Sequence, residues 1–310
     1  MSEMKSKQFI TPMFQIKDFS SDIKLYVKHE GFNITGSIKD RAARNVITYM
    51  VDNKLIDQNG AIIESSSGNM GIALSWYCNK NNLEFYCVVD PNINKENMKI
   101  LEVLGAHIIL VDKLDQNGGY LLSRIETVHN FLNENRKAYW VNQYDNHLVI
   151  DGYSGIADEI CSEIGEFDYL FMTVSSGGSI AGVSKRIKEI QPKVKVVCVD
   201  AVGSVVFGKE PKKRFIPGAG ASIKPENLKY ACIDDVLWVD EKEAIDMCHK
   251  YSKSNFLLGG SSGLVLAGIK KYLETNKVDR GAKVVTIFPD RGDRYLNTIY
   301  NKKWIDEKFN

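Results

Sequence analysis

Short β-branched segments alternate with segments of helical periodicity from residue 61 onward, and this alternation constrains the fold more than any other feature of the chain. In the first half of the chain the predicted strands are 61–64, 84–90, 107–112 and 138–143. The segments between them have apolar residues at helical spacing; one helical face, for example, carries Leu121, Ile125, Val128 and Leu132. Such an alternation predicts a doubly wound α/β lobe with a parallel sheet.

A second series of helices and strands follows. The predicted helices are 154–164, 179–190 and 263–274, and the predicted strands are 169–175, 194–201 and 283–289. With 310 residues the chain is long for one α/β domain, so two are expected. Residues 203–235 hold three prolines, four glycines and the charged run KEPKKR, and we predict an irregular segment with solvated charges.

Charge and cysteine content exclude several classes of function. Forty Lys and Arg against 39 Asp and Glu leave a net charge of +1, which provides no overall field for nucleic acid or an anionic membrane. The polar start MSEMKSKQ and the short apolar runs predict a cytoplasmic protein. The six cysteines form no CxxC and the five histidines form no HExxH, so we expect reduced core thiols and no metal.

Four segments place small hydrogen-bonding residues at the start of a predicted helix, usually just after a strand. They are residues 35–41, 65–71, 175–182 and 259–263. In open α/β sheets this position lies outside the carboxyl ends of the strands, where ligands bind, and free amides at a helix N-terminus attract anions. The four segments together therefore predict a ligand site.

The first segment carries Lys39, which we expect in the first turn of a helix that Ser37 caps. The positive end of the helix macrodipole disfavours an ammonium there and favours the neutral, nucleophilic amine. The alternative is a surface lysine with its charge in water.

The other three segments are each open to two interpretations. Residues 65–71 could hold a carboxylate or form a tight turn. Residues 175–182 have the makeup of a phosphate nest but fit neither GxGxxG nor GxxxxGK[ST], which disfavours dinucleotide and P-loop sites. Ser261 could direct its hydroxyl at a ring nitrogen or cap the helix predicted to begin at Leu264.

In this order the four segments resemble those of the cysteine synthase family of fold-type II pyridoxal-phosphate enzymes, over nearly the whole chain. The resemblance implies two doubly wound parallel-sheet domains, as in the tryptophan synthase β fold, with pyridoxal 5′-phosphate in the cleft between them. A smaller mobile domain would span residues 33–145, and a larger one, which binds the cofactor phosphate, residues 1–32 and 146–310. The resemblance also implies a homodimer that acts on small amino-acid substrates.

The resemblance assigns a role to each matching residue. Lys39 would form the Schiff base and later move the Cα proton, Asn69 would bind the phenolic oxygen of the cofactor, and Ser261 would face its pyridine nitrogen. The cofactor phosphate would rest on Ser176, Gly177, Gly178 and Ser179. The substrate carboxylate would bind to Ser66, Ser67 and Gln143. A hydroxyl at the pyridine nitrogen favours loss of a β-leaving group, so the expected reaction is β-replacement.

Several stretches are more similar to the N-(2-amino-2-carboxyethyl)-L-glutamate synthases of staphyloferrin B-type siderophore biosynthesis than to cysteine synthases. These stretches are 118–124, 199–208, 217–222 and 288–296. In that branch O-phospho-L-serine loses phosphate and the amine of L-glutamate adds, giving a precursor of 2,3-diaminopropionate. The residues expected around glutamate are Arg124, Tyr144, Ser175 and Ser222.

Three alternatives stay open at this point. The enzyme could be a cysteine synthase or cysteine lyase, using O-acetylserine, O-phosphoserine or cysteine with sulfide chemistry. It could be a catalytically silent relative, although Lys39 and Asn69 together disfavour this. Arg124 could be a solvated charge on a helix face.

The sequence departs from the family patterns at two places. The S-S-G-G-S loop is nearer the family average than the siderophore branch, and Gly152 stands where cysteine synthases usually have His.

Overall fold

The structure, a computed structural model, describes residues 9–56, 60–116, 118–254 and 256–309. Its strands in chain order are β1 (Met13–Ile16), β2 (Ile23–His29), β3 (Ala61–Ser65), β4 (Glu84–Val89), β5 (His107–Leu110), β6 (Tyr139–Trp140), β7 (Tyr169–Thr173), β8 (Lys195–Ala201), β9 (Asp235–Val239) and β10 (Ala282–Phe288). Its α-helices are α1 (Lys39–Asp52), α2 (Asn69–Lys80), α3 (Lys95–Val103), α4 (Leu121–Glu134), α5 (His147–Ile164), α6 (Gly178–Ile190), α7 (Glu241–Ser252), α8 (Gly260–Thr275) and α9 (Lys302–Phe309).

The strands form two sheets, and helices alternate with them along the chain. One sheet has the order β1-β2-β10-β7-β8-β9 and the other β5-β4-β3-β6. All pairs are parallel except β1 with β2, which is antiparallel. The α/β class with parallel sheets is therefore confirmed. The four-stranded sheet lies inside residues 61–140, while the domain boundaries near 33 and 145 stay a prediction.

Central strands are covered on both faces, and this explains their nearly continuous apolar sequences. All five residues of β3 and six of the seven in β8 and in β10 are buried. Parallel sheets require this composition because crossover helices pack on both sides. Along β2, which lies beside the edge strand β1, buried and exposed residues alternate at first.

One apolar core joins the helices of the two sheets. It includes Val46 of α1, Leu74 of α2, Ile160 of α5 and Val183 of α6, all fully buried or nearly so. A second cluster packs on the other face of the six-stranded sheet, and a third, which includes Val128 of α4, covers the outer face of the four-stranded sheet. The helix α1 packs against both α2 and α5, so it lies between helices that belong to the two sheets.

Next to Lys39, a buried ionic cluster fixes the orientation of α1. The Arg41 guanidinium contacts Glu30 at 2.6 Å and Glu159 at 2.6 Å, and Lys28 contacts Glu159 at 2.7 Å. Thr11 donates to Glu30 at 2.7 Å. Because breaking a buried ion pair leaves a charge uncompensated, this cluster holds the start of α1 firmly against α5.

The other predictions about the chain have these outcomes. All six cysteines are free, and four of them are buried: Cys78, Cys87, Cys198 and Cys248. None of the described helices combines the length and the apolar character needed to cross a membrane. Among the described residues, no three His, Cys, Asp or Glu side chains are grouped so that they could hold a metal ion.

Candidate active site

Lys39 is the first residue of α1, and it faces the protein interior. Burial lowers the pKa of its amine to about 8, while the charges of Glu64 and Asp290 act in the opposite direction. The surface-lysine alternative is therefore wrong. The predicted cap is also wrong by one position: the N-cap is Ile38, without a side-chain bond, and Ser37 Oγ accepts from the Lys39 N–H at 3.3 Å.

A pocket lies at the carboxyl ends of the strands, and each of the four segments contributes at least one residue to its lining. The predicted site residues that line it are Lys39, Asn69, Ser175, Ser176, Ser179 and Ser261. Asp290 and Gly218, which sequence reasoning did not select, line it as well. Lys39 Nζ also lies 5.8 Å from the centre of the Tyr153 ring.

The helices that begin at this pocket have no side-chain caps, unlike others in the chain. No side chain caps α1, α2, α6 or α8. In contrast, Asn94, Asn146 and Asp240 cap α3, α5 and α7. At α1 and α2 one first-turn amide each still has a serine acceptor, since Lys39 N–H donates to Ser37 Oγ and Gly71 N–H donates to Ser66 Oγ. The free amides at the starts of α6 and α8 need a partner from water or a ligand, so the pocket offers donors for an anion.

The phosphate-type loop has the shape that its glycines allow. Gly177 has φ 76°, and a Cβ there would lie 3.0 Å from the Leu228 amide nitrogen. The first amide of α6 with an intrahelical acceptor is that of Ala181, which donates to Gly177 O at 3.0 Å. The amides of Gly178 and Ser179 precede it and are free of intrahelical bonds.

Ser261 lies in the first turn of α8, since this helix begins at Gly260 and not at Leu264 as predicted. The N-cap is Gly259, so the capping interpretation of Ser261 is wrong. Ser261 is buried, and its Oγ lies 3.5 Å from the position of a Cβ on Gly218. This hydroxyl therefore faces the loop that closes one side of the pocket.

Glu64 holds together two of the elements predicted to bind the substrate carboxylate. Its carboxylate accepts from the Ser65 N–H at 2.9 Å and from the Gln143 N–H at 3.2 Å, and Gln143 Nε2 donates to Ser65 O at 3.4 Å. Burial raises the pKa of Glu64 to about 7, against the effect of these amides. Sequence reasoning missed Glu64, although it lies directly before the 65–71 segment.

Ser66 and Ser67 lie in the loop between β3 and α2, outside the lining of the pocket. Ser66 Oγ accepts from the Gly71 N–H at 3.1 Å, and Ser67 O accepts from Asn97 Nδ2 at 3.2 Å. Ser66 is buried and Ser67 half-buried. Gln143, across from them, is also buried.

Asn69 belongs to a polar network that includes a buried carboxylate. Its Nδ2 donates to Asp290 Oδ2 at 2.7 Å, and Arg294 donates to its Oδ1. Tyr295 also donates to Asp290, and burial raises the pKa of this carboxyl. Asp290, Arg294 and Tyr295 follow β10 and are more than 200 residues away from Asn69, so no local signal in the sequence connects them.

Of the four residues expected around glutamate, only Ser175 lines the pocket. Arg124 is 13% exposed and pairs with Asp90 at 3.4 Å, so it is not a solvated charge. Burial raises the pKa of the Tyr144 hydroxyl, while the guanidiniums of Arg124 and Arg214 lower it. Ser222 is exposed and accepts from Arg214 Nη2 at 2.9 Å.

Asn227 connects the cofactor loop to the substrate loop. Its side-chain amide donates to Gln143 O at 2.8 Å and to Ser176 O at 3.0 Å, and its backbone N–H donates to Tyr144 O at 3.1 Å. Asn227 is fully buried. It lies in the irregular segment 203–235, where residues 209–213 of the charged run are exposed as predicted, while Asn227 covers the site.

A family model of pyridoxal-phosphate dependent enzymes matches residues 5–290, which is most of the chain. The chain belongs to this family. It is a fold-type II pyridoxal-phosphate enzyme of the cysteine synthase type, a class that performs β-replacement and β-elimination. The predicted cofactor is thereby confirmed, and the alternative of a catalytically silent relative is not supported.

Solved structures of related enzymes superimpose on nearly the whole chain. An O-acetylserine dependent cystathionine β-synthase from Helicobacter pylori is 29% identical, with a TM-score of 0.86 over 94% of this chain and 96% of that one. A hydrogen sulfide-producing enzyme from Fusobacterium nucleatum is 28% identical, with a TM-score of 0.84 over 92% and 95%. An O-ureido-L-serine synthase is 25% identical, with a TM-score of 0.85 over 94% and 92%.

The pocket residues fit pyridoxal phosphate. The amine of Lys39 is buried and its pKa is lowered. This favours the neutral amine, which is the form that reacts with an aldehyde. The uncapped start of α6, with Ser176 and Ser179, offers amides and hydroxyls to a phosphate. The Ser261 hydroxyl is a neutral group for a ring nitrogen.

Proposed function

We propose that this enzyme performs β-replacement on O-phospho-L-serine with L-glutamate as the nucleophile, giving N-(2-amino-2-carboxyethyl)-L-glutamate and phosphate. The observation that carries the proposal is the position of Arg124. Its side chain is turned inward, its Nε is buried without a hydrogen-bond partner, and its charge acts on Tyr144. A guanidinium in this position suits a carboxylate on the incoming amino acid, whereas sulfide has no carboxylate.

The roles proposed for the pocket residues follow from their hydrogen-bond donors and from the lowered pKa of the Lys39 amine. Lys39 would hold the cofactor and then move the proton at the substrate Cα. Asn69 would bind the phenolic oxygen, and Ser176, Gly177, Gly178 and Ser179 the phosphate. The cofactor, when bound, supplies an electron sink for the negative charge that develops at Cα.

The substrate residues divide between the two amino acids. Ser66, Ser67 and Gln143 would bind the carboxylate of O-phospho-L-serine; the clamp that Glu64 makes on Ser65 and Gln143 supports this set. Arg124, Tyr144, Ser175 and Ser222 would contact the nucleophile. Ser261, a neutral hydroxyl, would leave the pyridine nitrogen unprotonated and so favour loss of the leaving group.

A second candidate is sulfide chemistry, as in a cysteine synthase or cysteine lyase. Two of the similar structures are named for O-acetylserine and for hydrogen sulfide, which favours this candidate. It uses the same cofactor residues. It gives no role to a carboxylate-binding Arg124, and for this reason we place it second.

One experiment separates the two candidates. The cofactor-loaded enzyme is incubated with O-phospho-L-serine and either L-glutamate or sulfide, and phosphate release and amino-acid products are measured by mass spectrometry. We expect the glutamate adduct as the main product. Cysteine formation with sulfide and no adduct with glutamate would overturn the proposal.

A variant then tests the role of Arg124. Arg124→Gln should reduce adduct formation about tenfold or more while phosphate release continues, because one charge-assisted contact is lost. Arg136→Gln, an exposed position just after the same helix, is the matched control. Equal loss of phosphate release and adduct in Arg124→Gln would mean that Arg124 does not select the nucleophile.

Several properties of the whole protein belong to the same proposal. We propose a cytoplasmic homodimer whose product leads to 2,3-diaminopropionate for a siderophore, and closure of residues 33–145 over the bound substrates. Exposed apolar side chains near the chain start support self-association, among them Ile10, Phe32 and Ile34. Light scattering at several concentrations measures this; a monomer throughout would contradict it.

A further inference from the structure

Arg214 is a partly buried guanidinium with donors to spare. Its Nη1 donates to Ala219 O at 3.1 Å and its Nη2 to Ser222 Oγ at 2.9 Å, while its Nε is buried without a partner. In the part of the chain that the structure describes, Arg214 forms no ion pair. A guanidinium has five N–H donors, so the fork can accept an anion without breaking these two bonds.

The acidic groups nearest to Arg214 do not use this fork. Asp200 and Glu241 act on it electrostatically. Glu241, however, accepts from the backbone N–H groups of Phe215 at 2.8 Å and Ile216 at 2.7 Å, and Asp200 accepts from the Ala201 N–H at 2.9 Å. These carboxylates offset part of the cost of burying the charge, and they bond to backbone amides instead of to the guanidinium.

The loop of Arg214 also forms part of the cofactor pocket. Gly218, four residues further on, lines the pocket, and Ser222, the hydrogen-bond partner of Arg214, is exposed. On the other side of the site, Arg124 extends from α4, and the charges of both guanidiniums act on the Tyr144 hydroxyl. Arg124 pairs with Asp90, which directly follows β4, and Arg214 lies in the loop after β8, so the two guanidiniums lie beyond the carboxyl ends of strands in the two sheets.

Two guanidiniums at one site match a ligand with two carboxylates better than a ligand with one. Arg124, whose side chain is 13% exposed, lies inward, and Arg214 bonds to the exposed Ser222 at the rim. The reacting amine of an amino acid lies beside its α-carboxylate, so the inner arginine suits that group and the outer one suits the distal group.

We infer that Arg214 binds the side-chain carboxylate of the nucleophilic amino acid and so selects dicarboxylates. This inference rests on the proposed function, since it assumes an amino acid as nucleophile. Arg214 lies in the loop after β8 of the six-stranded sheet, and the family resemblance gave it no role.

Two measurements on the cofactor-loaded enzyme test this inference. The first is the ratio of kcat/KM for L-glutamate to kcat/KM for L-glutamine with O-phospho-L-serine as donor, in wild type and Arg214→Gln. The second is the binding of glutarate, which has two carboxylates and no amine, by calorimetry. Lys213→Gln, an exposed neighbour with the same change of charge, is the control. Arg214→Lys tests rescue by charge.

We expect Arg214→Gln to lower the glutamate-to-glutamine ratio and the glutarate affinity about tenfold or more, as loss of a charged hydrogen bond predicts. Arg214→Lys should recover part of both, and Lys213→Gln should change neither. An unchanged ratio and unchanged glutarate binding in Arg214→Gln would overturn the inference, as would equal losses in the Gln and Lys variants. If wild type forms no glutamate adduct but glutarate binding still depends on Arg214, the proposed nucleophile is wrong and the dicarboxylate site stands.

Discussion

Asn69 Nδ2 donates a hydrogen bond of 2.7 Å to Asp290 Oδ2 and thereby joins the loop after β3 to the loop after β10. Since Arg294 donates to the other end of the same amide, both polar atoms of Asn69 have fixed partners from one loop. The second hydrogen on Asn69 Nδ2 has a fixed direction, because the amide plane is held by these two partners. The residue proposed to bind the phenolic oxygen is therefore oriented before the cofactor arrives.

Asp290→Ala should weaken cofactor binding. The substitution removes the acceptor of Asn69 and of Tyr295, at a cost of about 1–3 kcal/mol for each buried group left without a partner. Titration of the cofactor-free protein with pyridoxal phosphate, followed by visible absorbance, measures the affinity. Asp293→Ala, half exposed in the same loop and paired with Arg291, is the control. Equal affinities in the two variants would show that Asp290 does not act through Asn69.

Cofactor uptake should depend on pH through the amine of Lys39. Because burial lowers its pKa to about 8, the neutral, reactive form is half-populated near pH 8 and nearly complete about two units higher, whereas an ordinary lysine reaches half only at about 10.5. The charge of Glu64 raises this pKa, so Glu64→Gln should move the midpoint to lower pH. Stopped-flow rates of cofactor binding from about pH 6 to about pH 11.5 cover both the lowered and the ordinary lysine transition. A midpoint near 10.5 in wild type would contradict the buried position of Lys39.

Gly152→Ala should destabilise the fold, although alanine is the better helix former. A Cβ at position 152 would lie 2.9 Å from Ala42 Cα and 2.9 Å from Arg41 O, where α5 crosses α1. Helix propensity predicts a gain of about 1 kcal/mol, and overpacking a loss of about 1–3 kcal/mol, so we expect a net loss. Thermal unfolding compares this variant with Ser154→Ala on the same helix. A higher melting temperature for Gly152→Ala would show that α5 can move away from α1 enough to accommodate the methyl group. The close contact also explains why no larger side chain stands here.

Asn227→Asp should affect the cofactor loop and the substrate loop together. The change replaces an amide that donates to Gln143 O and Ser176 O with a buried carboxylate facing the same oxygens. We expect a loss of about 2 kcal/mol or more in the free energy of unfolding and weaker binding of both cofactor and O-phospho-L-serine. Glu226→Gln, the exposed neighbour, should behave as wild type. Loss of only one of the two affinities would show that Asn227 does not couple the loops.

Most of the fold follows from local patterns in the sequence. The seven predicted strands all appear, although the one predicted over 138–143 is reduced to Tyr139–Trp140. The central strands β3, β8 and β10 follow from apolar runs that are buried on both faces. The strands β1, β2 and β9 were not predicted. β2 lies before residue 61, where the regular alternation of strands and helices begins, and its buried and exposed residues alternate only in its first half. β9 follows the irregular segment directly.

The site is less predictable where it depends on contacts between distant residues. Lys39 and Ser261 were selected because each lies in a short segment at a helix start, and the helix boundaries shifted by one to four residues without moving them from the pocket. Asp290 lies in the stretch 288–296, which the resemblance selected without giving this residue a role, Asn227 lies in a short 3₁₀ helix, and Arg214 ends the charged run KEPKKR. Only the folded chain shows that these three side chains contact the elements of the site.

The most direct test of the account is to locate the covalent link between protein and cofactor. The yellow holoenzyme is reduced with borohydride, digested and analysed by mass spectrometry for the peptide that carries the reduced cofactor. We predict one modified residue, Lys39, and no visible absorbance band of a bound cofactor in Lys39→Ala. Attachment at any other lysine, or a colourless wild-type protein after incubation with pyridoxal phosphate, would contradict the account.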